Sequence, residues 1–512
     1  MRKFHTLLAC IIGCSATMAA QTTFPVAIDE TNFPDVSFRK FLLGPTYDRD
    51  GDGMLSQEEA ERVIELAVNF KYPKVTTLKG IEYFINIQML SAQGNDLTDI
   101  DLSKNTKLTY LNISSNMFTS IDFSNCPSLE AIICNSNKVT DVKLAGNQKL
   151  RRFECNQTKT LTHLDVSANA ELDSLCCYAD ALEAIDVTKN PKLRYLNCSG
   201  NKITALDVTQ NPELKTIYCG RNQYAAGTLD FSKNPKLDEV DCQESQLNSL
   251  EFTANPVLRL LTCSFNNLTS LDVSKNSALY KIIASFNKQM TSLSLGDMPE
   301  LYDLQFSNTL IDDINLSATP KLNAINFQNS RLRSIDFSGT PNLRSLTCSN
   351  DSLVALDLSG VYLTFTNLRF ATSNRTVTLA AGNKLDLTTL AKDGLDVSRM
   401  QNIIGGTLDG NILSFNDKTV TYQYITLSQN ANYPTLSVRL HATNYDNGGV
   451  DDVTANNAAI RVDGRTVNAA GPIAAYSTTG ALVASGNDNL TLPAAGLYII
   501  KVGEQTFKVS VR

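Results

Sequence analysis

The stretch "LTYLNISSNMFTSIDFSNCPS", residues 108–128, decides the fold of this chain. The next segment, "LEAIICNSNKVTDVKLAGNQK" at 129–149, repeats its apolar positions in the same order. Successive copies start 21 to 23 residues apart, and a fixed period of this length indicates one structural unit stacked along the chain. The same frame starts at Ile87, Leu108, Leu129, Leu150, Leu172, Leu193, Leu214, Leu237, Leu258, Leu279, Leu301, Leu322 and Leu343.

The shared template, L-x-x-L-x-C-x-x-N-x-L-T-x-L-D-V-S-x-N-P-x, is that of a leucine-rich repeat. Its "LxxLxC" segment predicts a short strand with Leu and Cys pointing inward, and stacked strands would pair as a parallel sheet about 4.8 Å apart. We therefore expect residues 87–358 to form a β-rich leucine-rich-repeat solenoid of about thirteen turns.

An asparagine three residues after the Cys position marks the point where each repeat turns. Stacked amides there can bond backbone groups of their own and the next turn, which the bend would otherwise leave unpaired. Asn-Pro pairs, as at Asn190 and Asn211, are turn signals on the return path. The asparagine position is held by Asn95, Asn116, Asn137, Asn201, Asn222, Asn266 and Asn287, and other turns carry Thr158, Asp180, Ser245, Thr309, Ser330 or Asp351.

Cysteine fills the third inward position in seven consecutive turns. In-register parallel strands keep the Cβ atoms of these residues nearly a strand spacing apart, which is too far for disulfides. The pattern predicts a ladder of buried, reduced thiols, since the alternative, a metal cluster, lacks a tetrahedral ligand set. Cys176 and Cys126 fall outside the ladder and are the candidates for exposed thiols. The ladder comprises Cys134, Cys155, Cys177, Cys198, Cys219, Cys242 and Cys263, and Cys348 returns to it.

A 21-residue repeat with cysteine in place of a strand leucine resembles the internalin J type of leucine-rich repeat, found in bacterial surface proteins. The resemblance covers residues 87–358 and implies a right-handed horseshoe with a role in adhesion. Internalins of Gram-positive bacteria carry a wall-sorting LPxTG signal, which this chain does not have.

A second motif, "YDRDGDGMLSQEEAERV" at residues 47–63, matches the calcium loop of an EF-hand. Gly53 stands at loop position 6, where the chain must turn with positive φ. The alternative is a solvated acidic turn without a metal. The predicted oxygen ligands are Asp48, Asp50, Asp52, the Met54 carbonyl, Ser56 and Glu59.

The motif lies in front of the first repeat, where a solenoid needs a terminal unit to cover its apolar end. "FPDVSFRKFLL" predicts a short entering helix that Gly44-Pro45 breaks, and "SQEEAERVIELAV" predicts the exiting helix. We therefore interpret residues 24–86 as an α-helical cap stabilised by a single structural Ca²⁺. No sequence feature supplies a second state for calcium to select.

Residues 1–20 have the charged start and apolar, small-residue end of a secretory signal peptide. In the alternative, "IIGC" resembles a lipoprotein box with Cys14 as the lipidated residue. No later segment is long and apolar enough to predict a membrane span. The net charge of −7 argues against nucleic acid, which requires a basic surface.

The repeat period is lost after residue 358. Residues 359–441 alternate as strands and predict a β domain that caps the last turn, and 442–458 are polar and predict a linker. Residues 459–512 resemble the small β-sandwich sorting domain of type IX secretion, with Gly496, Tyr498 and a Lys-Val-Gly turn. That resemblance implies export to the outer surface of a Gram-negative, Bacteroidetes-type bacterium by the type IX machinery. The alternative is an ordinary terminal β domain.

The motifs of an enzyme are missing from this sequence. His163 falls on a return path, His441 falls at the start of the linker, and no catalytic histidine set, phosphate loop or zinc motif is present. Glu239 and Asp241 could act as glycosidase carboxylates, but both are expected on an open face where nothing excludes water. We therefore predict that the chain is not an enzyme.

Residues that flank the central strand leucine should project from the concave sheet and form a binding face. Aromatic side chains beside carboxylates suit protein partners and sugars. The sequence thus predicts a monomeric adhesin for a host or bacterial surface protein or glycan. The alternatives are an ordinary polar sheet face and a structural surface-layer or biofilm element without a dedicated ligand. The candidate contact residues are Tyr110, Arg152, Tyr195, Asn197, Tyr218, Glu239 and Asp241.

Overall fold

The computed structural model describes residues 23–366, 372–427, 435–446, 451–452, 456–457, 460–503 and 505–511. The predicted signal peptide, including Cys14, lies outside these residues, as does much of the predicted linker. The described chain forms two compact units: the first contains the cap and the repeats, and the second contains most of the residues after 371.

The first unit is built on a parallel sheet of fifteen strands, one for each turn of the chain. In the three-residue strands the central side chain points inward, as in Tyr110–Asn112, where Leu111 is completely buried. The predicted leucine-rich-repeat solenoid is confirmed. The strands are Glu65–Ala67, Met89–Ser91, Tyr110–Asn112, Ala131–Ile133, Arg152–Glu154, Ser174–Cys176, Tyr195–Asn197, Thr216–Tyr218, Glu239–Asp241, Leu260–Thr262, Lys281–Ile283, Asp303–Gln305, Ala324–Asn326, Ser345–Thr347 and Phe365–Thr366.

The parallel sheet extends one strand beyond the repeat pattern at each end. Glu65–Ala67 pairs with Met89–Ser91 in front of the first recognisable repeat, and Phe365–Thr366 pairs with Ser345–Thr347 after the last. A terminal turn has a repeat on only one side, so its sequence can depart from the template while its backbone continues the sheet.

The cap contains two short helices, Val36–Leu42 and Gln57–Arg62. The entering helix ends before Gly44-Pro45, as predicted. The exiting helix is shorter than predicted, since it stops at Arg62 and the chain then forms the first strand of the sheet. Hydrogen bonding to a neighbouring strand at this point outweighs the helical pattern of the sequence. A 3₁₀ turn, Ile81–Tyr83, and a two-residue antiparallel pairing of Val26–Ala27 with Met54–Leu55 complete the cap.

The predicted column of asparagines at the end of each strand is present and buried. Asn266 shows its bonding: the side-chain Nδ2 donates to the carbonyls of Cys242 and Cys263, at 3.0 Å each. Its Oδ1 accepts the backbone N–H groups of Ser245 and Leu247, also at 3.0 Å. The amide therefore ties its own turn to the preceding one, and we call this column the strand-end ladder.

A second column of asparagines runs along the return path, where the sequence indicated only turns. Asn190 donates from Nδ2 to the carbonyls of Val166, at 3.0 Å, and Asn169, at 2.9 Å. The same two bonds to the preceding turn recur along this return-path ladder. Its asparagines are Asn105, Asn147, Asn169, Asn190, Asn211, Asn234, Asn255 and Asn276.

All ten cysteines of the described residues are free and buried, as the predicted ladder of reduced thiols requires. The expectation that Cys126 and Cys176 are exposed is wrong. Cys126 occupies a return-path ladder position, and its thiol donates to the Leu102 carbonyl, 3.4 Å away. Cys176 is covered on its strand and is only 8% exposed.

The described cysteines should therefore resist alkylation while the protein is folded. Burial raises the pKa of Cys126 and of Cys176 to about 11 and that of Cys198 to about 12, so the reactive thiolate is scarce at pH 8. We expect iodoacetamide at pH 8 to leave all ten unmodified in the native protein and to label all of them in guanidinium chloride. Mass spectrometry of the digested protein measures this, and native labelling at Cys126 would contradict the burial described above.

Two further pairs of short parallel strands lie on the return path: Ser120–Asp122 with Asp141–Lys143, and Ser270–Asp272 with Ser292–Ser294. No helix in the described ranges is long and apolar enough to cross a membrane.

The second unit is almost entirely β structure. Its first part has a four-stranded and a three-stranded sheet, and its last part has seven strands in one sheet with a common apolar core that includes Tyr498. His441 lies inside a strand of the first part. The elements are the strands Thr372–Val377, Lys384–Asp386, Met400–Ile404, Gly406–Asp409, Ile412–Phe415, Thr419–Ile425, Thr435–Ala442, Asp451–Asp452, Asn456–Asn457, Ile460–Asp463, Thr466–Tyr476, Leu482–Thr491, Gly496–Val502 and Gln505–Val511, and the 3₁₀ turns Leu387–Asp393 and Val397–Arg399.

Candidate functional site

The acidic loop of the cap gathers its three aspartates around one point. Each of Asp48, Asp50 and Asp52 offers a carboxylate oxygen, and these oxygens lie within 4.8 Å of one another. Asp48 is buried, whereas the other two are exposed. Three carboxylates held this close repel one another, so the arrangement favours a bound cation.

Hydrogen bonds within the loop fix the direction of these carboxylates. The backbone N–H groups of Gly51 and Gly53 donate to Asp48, at 2.9 and 3.1 Å, and that of Met54 donates to Asp52 at 2.7 Å. Gly53 has a φ of +76°, a backbone conformation that a residue with a side chain adopts at a cost. The turn at position 6 that the sequence predicts is therefore formed.

Glu59, the predicted last ligand, lies outside the group that the three aspartates form. Its carboxylate accepts the backbone N–H of Arg49 at 2.7 Å and that of Ser56 at 2.9 Å, and the Ser56 side chain caps the helix in return. Burial raises the pKa of Glu59, but these hydrogen bonds outweigh it and hold the pKa below its usual value. The side chain is thus ionised at neutral pH. The donor set of hard oxygens around one loop fits Ca²⁺.

The outward side chains of the fifteen strands form the second candidate site, which we call the sheet face. Tyr195 and Tyr218 meet there on adjacent strands, edge to face, with ring centroids 5.8 Å apart. Burial, then the hydrogen bond to the Glu239 carboxylate, raises the pKa of Tyr218. Burial also raises the pKa of Tyr195. Both hydroxyls therefore stay protonated and act as hydrogen-bond donors.

Asp241 stands beside Tyr218 in the register of the two strands. Burial raises its pKa, although the backbone N–H of Gln243 donates to its carboxylate at 3.1 Å. Asn197 is turned toward its own chain, because its Oδ1 accepts the backbone N–H of Ser199 at 3.1 Å and the Ser199 hydroxyl at 2.7 Å. The side chain of Asn197 is thus partly satisfied within the protein.

The remaining two predicted contact residues lie apart from this group. Arg152 forms an ion pair with Glu154 on its own strand, with a 2.7 Å bond from Nε. Tyr110 lies four strands before Tyr195 in the sheet. The sheet face therefore brings together Tyr195, Tyr218, Glu239 and Asp241, but not Tyr110 or Arg152.

Two aromatic pairs that the sequence analysis missed border the next strands of the sheet, and of their four residues Phe286 is half-buried while the other three are exposed. Phe265 and Phe286 stack with ring centroids 4.3 Å apart, and Tyr280 and Tyr302 stack at 5.2 Å. The tripeptide Ser-Phe-Asn at 264–266 and again at 285–287 was the available signal, since it places the same aromatic residue in consecutive turns. We call these four residues the aromatic border.

No protein-family model and no curated protein matches this chain. The functional domain of InlJ from Listeria monocytogenes, which includes a cysteine ladder, is 26% identical, covers 83% of this chain and 100% of its own, and superposes with a TM-score of 0.58. An internalin, InlF, from the same species is 22% identical over 67% of this chain and 98% of its own, with a TM-score of 0.48.

A plant structure is also similar in fold. The leucine-rich-repeat ectodomain of the receptor kinase GASSHO1/SCHENGEN3 from Arabidopsis thaliana, in complex with CASPARIAN STRIP INTEGRITY FACTOR 2, is 18% identical over 63% of this chain and 43% of its own, with a TM-score of 0.50. The chain described here is therefore similar to internalin-type leucine-rich-repeat proteins and shares the cysteine ladder of the InlJ domain.

Proposed function

We propose that this chain is a non-enzymatic surface protein that binds a protein or glycan through its sheet face, as an adhesin does. The sheet face carries the proposal: most outward residues of the strands remain at least partly exposed on this long ordered surface, while the central residues are buried. Such a surface offers many contact positions on one rigid support. Similarity to the InlJ domain supports a bacterial surface role.

Glu239 and Asp241 favour binding over hydrolysis. Both side chains lie on an open strand, and Glu239 already accepts a hydrogen bond from Tyr218. A glycosidase holds its two carboxylates on either side of a bound sugar in a site that excludes water.

The location of the protein is a second part of the proposal. The predicted leader would direct the chain out of the cytoplasm, and the terminal domain with Gly496 and Tyr498 would pass it to type IX secretion and the outer surface of a Gram-negative bacterium. The hairpin of Gly496–Val502 with Gln505–Val511 supports the proposed sorting domain. Expression of the full chain in such a bacterium, with and without residues 459–512, tests it: retention of the shortened chain in the periplasm is expected, and unchanged surface exposure would contradict it.

Calcium has a structural role in this proposal. Asp48, Asp50 and Asp52, the Met54 carbonyl, Ser56 and Glu59 would hold one Ca²⁺, which would neutralise the clustered carboxylates and so stabilise the cap.

Calcium should therefore raise the melting temperature of the full chain, because a ligand that binds only the folded state stabilises it. The double variant Asp50→Ala/Asp52→Ala should lose this shift, since it removes two of the clustered charges. Differential scanning calorimetry in calcium and in chelator measures the shift. Glu58→Ala is the matched control, because Glu58 is exposed on the adjoining helix and is not among the predicted ligands. An equal calcium shift in the double variant would exclude this loop as the site.

Binding is tested with the labelled full chain on mucin, matrix proteins and intact bacteria, in calcium and in chelator. Saturable binding to one of them is expected. If folded protein binds none of these targets, the alternative of a structural surface-layer or biofilm element is favoured.

Replacing both Tyr195 and Tyr218 with alanine should weaken that binding at least about tenfold, because tyrosines are frequent contact residues that carry much of the binding energy. Lys202→Ala is the control and should bind normally, because Lys202 is exposed after the turn that follows the strand of Tyr195. Dissociation constants from surface plasmon resonance compare the variants. Unchanged affinity of the double variant would exclude the two tyrosines as contacts.

A further inference from the structure

One backbone position in fourteen of the turns has a positive φ: the residue just before the strand-end ladder position. Its N–H donates to a carbonyl of the following turn, at 3.0 Å from Phe265 to Ser285 and 2.8 Å from Phe286 to Ser307. The repeat therefore imposes this conformation whatever residue is present. The position is occupied by Phe70, Gly94, Ser115, Ser136, Gln157, Ala179, Gly200, Arg221, Glu244, Phe265, Phe286, Asn308, Asn329 and Asn350.

Phenylalanine is a poor choice for this conformation. A bulky side chain at positive φ is strained, whereas glycine adopts it freely and asparagine adopts it often. The strain is not repaid by burial, because Phe265 is 49% exposed. Phe286 is half-buried, and the two rings stack on each other with an angle of 7° between their planes. Strain kept at an exposed position indicates a function for the side chain rather than a contribution to folding.

The other half of the aromatic border lies at the opposite end of the same strands. Tyr280 and Tyr302 directly precede Lys281–Ile283 and Asp303–Gln305, and they are 43% and 40% exposed. A β-strand rises about 3.3 Å per residue, so the Cα atoms of Tyr280 and Phe286 are at most about 20 Å apart. The strip of sheet face between them includes the ion pair of Lys281 with Asp303, at 2.9 Å.

The surface next to this strip is acidic. Glu239–Asp241 is the neighbouring strand of Leu260–Thr262, and its two carboxylates form no ion pair with any of the described residues. Apolar rings beside carboxylates that form no ion pair complement an apolar side chain next to a cation.

We propose that the aromatic border, with Glu239 and Asp241, docks a polypeptide segment that carries an apolar side chain next to lysine or arginine. This inference rests on the proposed binding function and names the chemistry of the partner. A polypeptide fits better than a glycan, because stacking within each pair covers one face of each ring and so reduces the ring face open to a sugar. Sugars need an open ring face, whereas an apolar side chain packs against edges as well.

The double variant Phe265→Asn/Phe286→Asn of the full chain separates binding from folding. Asparagine already occupies this position at residues 308, 329 and 350, so the variant should fold and melt at the same or a higher temperature. Gln157→Asn introduces asparagine at the equivalent position of a distant turn and is the matched control. Circular dichroism and melting curves establish that all three proteins are folded.

The probe is an array of synthetic peptides with a central Leu, Phe or Trp flanked by lysine or arginine. In the control peptides, glutamate replaces the basic residues or serine replaces the apolar residue. A glycan array is run in parallel. We expect the wild-type protein to bind the peptides with basic and apolar residues saturably, and added salt should weaken this binding. The affinity should be at least about tenfold lower in the double variant and unchanged in Gln157→Asn. Equal binding of the Ser-substituted or Glu-substituted peptides would overturn the proposal.

Three further outcomes show how this inference and the proposed function stand relative to each other. If the full chain binds mucin, matrix protein or bacteria and the double variant binds them equally well, the aromatic border is not the site and the proposed function stands. If the wild-type protein binds glycans through Phe265 and Phe286, a sugar rather than a polypeptide is the partner and this inference is wrong. If the wild-type protein binds neither array nor any surface target, both proposals fail.

Discussion

Replacing Asn266 with alanine should lower the free energy of unfolding of the solenoid by about 3–5 kcal/mol, because several buried backbone groups would lose their partners at once. Asn266 is 5% exposed and bonds two backbone N–H groups and two carbonyls at 3.0 Å each. Alanine cannot replace any of these bonds, and water has little access to the groups left behind.

Asn267→Ala is the control, since it removes the same amide from the next residue. Asn267 is exposed, and its side chain makes one long contact, 3.4 Å to the Gln246 carbonyl. Its loss should change the free energy of unfolding by no more than about 0.5 kcal/mol. Urea titration followed by circular dichroism compares the two variants, and hydrogen exchange of residues 240–270 locates the loss. Similar urea midpoints for Asn266→Ala and Asn267→Ala would mean that the strand-end ladder contributes little to stability.

Replacing Asp180 with asparagine should have the opposite effect and stabilise the protein at neutral pH by about 1–2 kcal/mol, after allowance for partial exposure. Asp180 occupies the strand-end ladder, where one of its oxygens accepts the N–H and the hydroxyl of Thr158, at 2.8 Å each. The other oxygen, Oδ2, is buried without a hydrogen-bond partner. Asparagine would place a donor there, as Asn201 does toward the Cys177 carbonyl.

The benefit of this exchange should depend on pH. Burial raises the pKa of Asp180 from 3.8 to about 6, so the folded protein binds this proton more tightly than the unfolded chain does. Protonation of Asp180 therefore stabilises the fold fully below pH 4, and this contribution is lost as the pH rises through 6. Asparagine does not titrate, so the advantage of Asp180→Asn should be small at pH 4 and should reach its full size at pH 7 and above.

Urea midpoints of wild type and Asp180→Asn at pH 4, 5, 6, 7 and 8 measure the effect. Asp186→Asn serves as the control: the Asp186 carboxylate is exposed and accepts the N–H of Thr188 at 2.9 Å, and its pKa is lowered rather than raised. A constant difference between wild type and Asp180→Asn across this range would show that the Asp180 carboxylate does not titrate as described.

The register of the repeats could be predicted because each turn presses its leucines against two neighbours. Leu129, Leu150 and Leu172 are all completely buried, and the strand that follows each of them starts two residues later. That constraint acts on every internal turn, so it is visible as a period in the sequence. It is relaxed at Glu65–Ala67 and Phe365–Thr366, where a neighbour is missing on one side of the solenoid sheet.

The return-path ladder could not be predicted in the same way. A turn is a sufficient explanation for an Asn-Pro pair. The amino-acid sequence does not indicate that the Asn190 amide donates to the carbonyls of the preceding turn. The prediction of an exposed thiol at Cys126 is wrong for the same reason, because only the fold shows that its position is equivalent to that of Asn147. The direction of a polar side chain depends on which backbone groups the neighbouring turn leaves unpaired.

The candidate site was predicted in part. The spacing of Asp48, Asp50 and Asp52 indicated a shared loop, and the loop brings them together. Alternation along the strands correctly placed Tyr195 beside Tyr218, but it did not indicate that Asn197 bonds its own backbone. Alternation also did not predict a role for Phe265 and Phe286. The alternation that marks outward residues ends with the strand, and these two residues follow the strand.

The two ladders have a consequence for how such a chain can change its length. Each amide finds at least one acceptor one turn back, so a whole repeat can be duplicated or deleted and every donor meets an equivalent carbonyl in its new neighbour. A deletion of half a repeat instead sets asparagines opposite leucines and leaves both columns broken at the junction. Genes for proteins of this kind should therefore gain and lose whole repeats. The length of the binding surface can then evolve while the fold of each repeat stays the same.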